Sequence, residues 1–399
     1  MKKKALAAII VAMTVLAGCG GEGEEPQSPI QTVEPIVIVD EPESTSEATE
    51  EATPEPEPEP EEVREGMYRS ELTNEWIDES LKEQRPIAVM VDNEKTALPH
   101  YGLTQADVVY EIMNSTANGR VTRFMALVKD WENLTQFGSI RSTRETNIYL
   151  VGEWNAILCH DGGPYFVMGN SKANYKGLIA QKDYCDNLSG IFSRVDNGKP
   201  SEFTEYIVHD GRSVKKRGQT VAEGIKSKGY SVEYNEYYLG PHFTFSSKEF
   251  DLSGEAGAFD CKEIQLKPFE HNNSQLKYNE STGTYDYYEY GEAHLDPENG
   301  NAQLTFENLI IQKCSFSVHE PTKEGYFIYN CLGSGEGYFI TNGTAIDITW
   351  EKGGEAENGS GASLTVFRNK ATGEEIVLNT GKTYIAVVPD DTWNTIVIK

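Results

Sequence analysis

The chemistry this sequence can offer is concentrated in polar residues set at the ends of apolar segments: Asp92, Glu111, Arg123, Arg141, Ser142, Arg144 and His160. Arg141 and Arg144 flank the predicted start of a helix, where unpaired backbone N–H groups already favour an anion. Two planar guanidinium forks there suit a phosphate or a carboxylate. His160, Asp161, Gly162 and Gly163 end an apolar run with a polar, glycine-rich turn and extend the same candidate site. Glu111 shares one face of a predicted strand with Val109 and Met113, and a carboxylate is rarely placed among apolar neighbours without a partner. Together with Asp92 it is the candidate general acid or base. Arg123, on the next predicted strand, is in reach of Glu111, and such a pair is either a structural buried bridge or the floor of a site. His294 and Asp296 are two apart and share a strand face if extended, a spacing that can contribute to a ligand site.

The elements that must position these residues follow from local pattern. Ser142 with Glu145 three residues on has the form of a capping box and predicts a helix from about Thr143. Residues 155–160 read as a short buried strand, as do 87–91, 108–113, 121–128 and 136–140, the first of which presents Asp92 and Asn93 at its end. Helices are expected over 71–82 and over 220–228, the second closed by Gly229. Alternating strands and helices predict a mixed α/β domain over 85–239. From residue 240 short aromatic and β-branched runs recur between Gly, Asn and Asp turns, which predicts a β-rich, mainly antiparallel domain over 240–399. The fold class is therefore α+β. The run Gly-Ser-Gly-Glu-Gly at 333–337 lacks the Lys-Ser/Thr pair and the helix of a phosphate loop, so a hairpin bend is expected there.

The chain of 399 residues opens MKKKALAAIIVAMTVLAGCG, a basic start, a short apolar run and small residues before Cys19. Residues 16–19 match a bacterial lipobox, so 1–18 are a signal peptide and Cys19 is the lipidation site. The apolar run is too short to serve comfortably as a permanent span. Residues 20–62 are almost wholly Glu, Pro, Ser, Thr, Gly and Ala, cannot bury a core, and read as a stiff, self-repelling tether. Residues 63–84 are a lead-in to the folded part. A net charge of −28 makes nucleic acid an unsuitable partner. Besides Cys19 the sequence holds Cys159, Cys185, Cys261, Cys314 and Cys331, an odd set without CxxC spacing. No metal centre and no cofactor are expected from it, and buried free thiols are expected ahead of a Cys159–Cys185 bridge.

Taken together, RPIAVMVDN at 85–93, GLTQADVVYE at 102–111, TRFMAL at 122–127, GSIRSTR at 138–144 and HDGG at 160–163, followed by GEAHLD at 291–296, GSGEGYF at 333–339, ITW at 348–350 and GKTYIAVVP at 381–389, resemble the YerB family of bacterial lipoproteins. The resemblance implies an extracytoplasmic lipoprotein with an N-terminal mixed domain and a β-rich C-terminal domain. It implies no chemistry. Asp161, Pro164 and Tyr384 depart from the pattern, Tyr384 standing where Trp is expected. On these grounds the first reading is a lipid-anchored protein that binds an anionic or glycan component of the cell wall, such as peptidoglycan, through Arg123, Arg141, Ser142, Arg144, His160, Gly162 and Gly163. A wall-glycan hydrolase or lyase using Glu111 and Asp92 is the alternative, without support from a GxSxG or HExxH signature. A scaffold that recruits another envelope protein is the third.

Overall fold

Apolar runs that stay buried on both faces build the centre of the molecule. The computed structural model describes residues 63–163, 175–209, 213–318 and 325–399; the signal peptide, Cys19, the acidic tether and Pro164 lie outside the described residues. Strands β1 (Ile87–Asp92), β2 (Val108–Met113) and β3 (Thr122–Val128) are buried along their whole length. That is why they read as continuous rather than alternating hydrophobic segments. They are joined by β4 (Ile157–His160), β5 (Asp186–Ser189), β6 (Phe259–Asp260), β7 (Asn308–Cys314), β8 (Gly333–Thr341), β9 (Thr344–Lys352), β10 (Thr365–Asn369) and β11 (Thr383–Pro389).

All eleven belong to one sheet, in the order β6-β9-β8-β7-β11-β2-β3-β1-β4-β5 with β10 beside β9. β11 is the join: it runs parallel to β7 on one side, Ile385 opposite Ile310, and parallel to β2 on the other, Ile385 opposite Tyr110. Strands from both sides of residue 240 thus share one sheet, and the described residues form one compact unit. A second sheet, built mainly on the Gln275–Asn279 and Thr284–Glu289 hairpin, contributes Leu276, Tyr285 and Tyr287 to the core.

The fold is mainly β, with antiparallel pairing dominant in the C-terminal half. The alternating α/β pattern expected over 85–239 is reduced among the described residues to three short α-helices, Glu145–Gly152, Tyr175–Ile179 and Val221–Lys228. The last follows the sequence signals: Thr220 and Glu223 form its capping box and Gly229 closes it at φ 70°. The helix expected over 71–82 is instead a hairpin of Met67–Arg69 with Trp76–Asp78. Asn74 turns the chain between them at φ 57°, a conformation Asn tolerates, and the Arg69 guanidinium lies 4.3 Å from the Trp76 ring centre.

Two other local expectations are corrected. The 145–152 helix does not use Ser142 as its cap, because that hydroxyl donates to the Asp161 carbonyl at 2.7 Å; Asn147 Oδ1 accepts from the Arg144 N–H at 2.9 Å instead. Gly333 to Gly337 is no bend but the first half of β8. Its glycines are there for close approach: a Cβ on Gly335 would come within 2.5 Å of Trp350 Nε1, on the paired strand β9.

Candidate functional site

Side-chain alternation across the sheet decides which of the predicted residues meet. Asp92 is paired directly with Arg123, whereas Glu111 is paired with Phe124 and Arg123 with Ile112. Directly paired residues share a face and successive residues alternate, so Asp92 and Arg123 lie on one face of the sheet and Glu111 on the other. The expected Arg123–Glu111 pair therefore does not form. For the same reason Asp92 and Glu111 cannot flank one bond as an acid and base.

Arg141 is brought to the Asp92 face by an extended strap. Asp92 N–H donates to Ser139 O, Arg141 N–H to Met90 O, Asp161 N–H to Arg141 O and Thr143 N–H to Gly162 O, at 2.9 to 3.1 Å. Arg141 Nε then lies 2.8 Å from Asp92 Oδ2, and its guanidinium sits 5.2 Å from the Phe203 ring centre. Arg123 stands 3.3 Å from the same carboxylate and donates to Ser142 O at 2.7 Å. Burial works against the charge of Asp92, but Arg123 and Arg141 outweigh it and hold the carboxyl below its usual range. Arg144 is buried, donates to Thr143 O at 2.8 Å and lies 4.5 Å from the Tyr326 ring centre. Burial and the neighbouring Arg123 charge lower its pKa to about 9.

Two cavities open on this face and share Arg141. The first, 370 Å³, is lined by Asp92, Glu94, Arg123, Arg141, Phe203 and Tyr326 among others. The second, 460 Å³, is lined by Arg141, Arg194, Lys199, Lys215 and Lys216 with Asp161, Asp196 and Glu202. They make one groove with cations concentrated at one end. Arg144 lines neither part. His160 is buried, its Nδ1 2.9 Å from Gly162 O and its Nε2 3.3 Å from Asn187 Oδ1, so with Gly162 at φ 75° it shapes the turn that carries Asp161. Gly163 lies in that turn, partly exposed.

The chain's relatives can now be set beside this geometry. The family described as "Protein of unknown function (DUF3048) N-terminal domain" matches residues 72–231, and "Protein of unknown function (DUF3048) C-terminal domain" matches 264–385. A protein of Bacillus subtilis (strain 168) named "Putative lipoprotein YerB" is 24% identical over 325 residues, which cover 81% of this chain and 86% of that one. The chain belongs to the YerB family. The crystal structure of YerB protein from Bacillus subtilis shares the fold, with a TM-score of 0.64 at 22% identity over 83% of this chain and 99% of that one.

Two of the three departures from the YerB pattern, Tyr384 and Asp161, acquire physical roles. Tyr384 donates its hydroxyl to Glu111 Oε2 at 2.5 Å. Thr122, Ser274 and Tyr287 complete a ring of hydroxyl donors on the same carboxylate, at 2.7, 2.6 and 2.9 Å. Glu111 is fully buried, and burial raises its pKa to about 7 against those hydrogen bonds. It ties β2 to β11 and to the hairpin of the second sheet and does not line the groove. Asp161, the other departure, is bridged to the buried Glu205 by Arg194, whose Nη2 is 2.9 Å from Asp161 and 2.7 Å from Glu205. Burial, with the adjacent Asp161 carboxylate, raises Glu205 to about 8, while Asp161 is held low by its hydrogen bond to Glu205 and by Arg194 despite partial burial.

Glu205, Arg194 and the lysines of the groove were not reached from sequence. Glu205 had a signal: it stands in Phe-Thr-Glu-Tyr-Ile-Val, an acid inside an apolar strand, as Glu111 does. His294 and Asp296 separate. Asp296 accepts from the N–H groups of Gly102 and Thr104 and from the Thr104 hydroxyl, a structural cap, while His294 turns toward Glu289. The five cysteines of the described residues are free and buried, so Cys159 and Cys185 form no bridge. Among the described residues no helix is long and apolar enough to cross a membrane.

Proposed function

We propose that this chain is an extracytoplasmic lipoprotein, anchored through lipid on Cys19, that binds an anionic glycan polymer of the cell wall in the groove around Arg141. The observation that carries the reading is charge inversion. In a chain of net charge −28, one cavity end gathers Arg141, Arg194, Lys199, Lys215 and Lys216 against only three acids. A concentrated cationic cleft in an acidic molecule focuses field on a polyanion and keeps it from sliding over the rest of the surface. Arg141 is positioned for the contact: Asp92 fixes its Nε edge, Phe203 underlies the guanidinium, and no other hydrogen bond holds it among the described residues. Tyr326, half-buried, adds an aromatic ring to the adjoining cavity, where a sugar could pack. The lipobox at 16–19, the acidic tether and the relative named as a lipoprotein support the anchoring.

The test is co-sedimentation of the purified chain with isolated cell walls. Arg141→Ala is expected to weaken binding at least tenfold with the protein still folded and only a modest fall in melting temperature, because Arg123 remains paired with the buried Asp92 that Arg141 also contacts. Unchanged binding would remove the assignment.

One observation favours a second reading, a wall-glycan hydrolase or lyase. Asp161 and the buried Glu205 are both held on Arg194 Nη2, at 2.9 and 2.7 Å, and as neighbouring carboxyls can share one proton, the arrangement in which one acts as acid and the other as base. This pair replaces Glu111 and Asp92 in the enzymatic alternative. On that reading soluble wall fragments appear with the unaltered chain and vanish in Asp161→Asn; walls left intact by the unaltered chain would dismiss it.

A further inference from the structure

On the face of the sheet opposite the groove, three buried side chains converge with atoms that nothing satisfies. His100, in the loop between β1 and β2, is completely buried, and its ring centre is 5.0 Å from that of His294. His294 follows the Glu292–Ala293 strand and Glu289 ends the strand paired with it, so a hairpin of the second sheet presents both. A ring nitrogen from each histidine and a carboxylate oxygen of Glu289 lie within 4.8 Å of one another. His100 Nδ1, His294 Nε2 and Glu289 Oε2 are buried without a hydrogen-bond partner.

His100 Nε2 is 2.6 Å from the Asp92 carbonyl, which can only accept, so Nε2 carries the hydrogen and Nδ1 a lone pair. His294 Nδ1 is 2.8 Å from Glu289 Oε1, a contact that a proton or a cation shared by the two atoms can hold. The unpartnered His100 lone pair and this His294–Glu289 contact together offer two ring nitrogens and a carboxylate oxygen to one ion. Buried polar atoms in native proteins are rarely left unsatisfied, and several in one cluster point to a missing bound species. Orienting an imidazole through its second nitrogen, as the Asp92 carbonyl orients His100, is how metal-ligating histidines are commonly held. Phe124 and Tyr287 pack edge-on against the rings, and Asn93 and Asn272 stand beside the Glu289 carboxylate, so the centre is shielded from bulk water.

We propose that His100, Glu289 and His294 form a binding site for one divalent transition-metal ion, zinc(II) foremost. Two imidazoles and a carboxylate are a donor set suited to zinc, and the three atoms would draw in to about 2.0–2.2 Å from the ion. The ion would fasten a loop of the N-terminal half to a hairpin of the C-terminal half, which makes its role structural and independent of ligand binding in the groove. The five described cysteines take no part in the cluster.

The experiment is titration of the full chain, purified in detergent and stripped with a chelator, first with cobalt(II) and then with zinc(II). One equivalent of cobalt is expected to give visible d–d absorption without the near-ultraviolet charge-transfer band of a thiolate, and zinc is expected to displace it. Zinc should raise the melting temperature by several degrees. His294→Gln and Glu289→Gln should each weaken cobalt binding at least tenfold, whereas His209→Gln, at a partly exposed histidine outside the cluster, should leave it unchanged. Should the variants fail to fold, the titration of the unaltered chain still decides. Less than a tenth of an equivalent bound, with the melting temperature unmoved by zinc, overturns the proposal. So does cobalt absorption that persists in folded variants of the cluster.

Discussion

Replacing Glu111 by alanine is expected to cost about 4 kcal/mol of folding stability, a large effect for one substitution. The carboxylate receives hydrogen bonds from Thr122, Ser274, Tyr287 and Tyr384, with Asn93 Nδ2 at 3.4 Å, and its removal leaves those donors facing a dry void. An orphaned buried donor costs roughly 1–3 kcal/mol, so partial relaxation still leaves a large loss. Urea denaturation measures it, and a loss below about 1 kcal/mol would mean that the ring of hydroxyls re-pairs without the carboxylate.

The same group makes a pH prediction of definite sign. Its folded-state pKa is raised, to about 7 from 4.5, so the folded chain holds this proton more tightly than the unfolded one. The associated stabilisation is fully present below pH 4.5 and is lost as pH rises through 7. The loss from this one site is about 3 kcal/mol. Glu111→Gln, which cannot titrate, should therefore gain on the unaltered chain by that amount between pH 4.5 and 8. Parallel stability–pH curves for the two proteins would contradict the assignment.

The second large effect is expected at Arg85, which precedes β1. Its side chain is buried; Nε donates to Asn155 O at 2.7 Å, and Nη1 donates to Asp186 Oδ2 at 2.6 Å and to Ser231 O at 3.3 Å. The bridge thereby ties the entry of β1 to β5 and to the segment after the 221–228 helix. Arg85→Met leaves the largely buried Asp186 carboxylate without its cation and should cost about 3–5 kcal/mol. The paired replacement Arg85→Met with Asp186→Leu should recover most of the loss, since no unpaired charge then remains. Denaturation of the four proteins of this cycle measures the coupling; additive losses would show that the bridge does not carry the effect.

What could be read from sequence, and what could not, follows from the range of each interaction. The strands at 87–92, 108–113 and 122–128 were legible because burial on both faces leaves an uninterrupted apolar run. The 221–228 helix was legible because its capping box and closing glycine are local. The join through β11 was not, since parallel pairing of Thr383–Pro389 with both Asn308–Cys314 and Val108–Met113 leaves no trace in any one segment. Arg141 and Asp92 stand beside apolar runs in the sequence and meet in the structure, but the partner of Arg123 depended on register, where one residue changes the face. Glu205 carried the same signal as Glu111. His100 and Glu289 lie far apart in sequence, and nothing in their spacing announces that they meet.

The central claim, an anionic wall ligand in the groove around Arg141, is tested most directly by co-sedimentation of residues 20–399 with two preparations of the same cell wall. One is intact, and in the other phosphates are stripped and carboxylates amidated. The chain is predicted to pellet with intact walls, to be released by salt, to remain soluble with neutralised walls and to liberate no fragments. Equal pelleting with both preparations, or with neither, would contradict it.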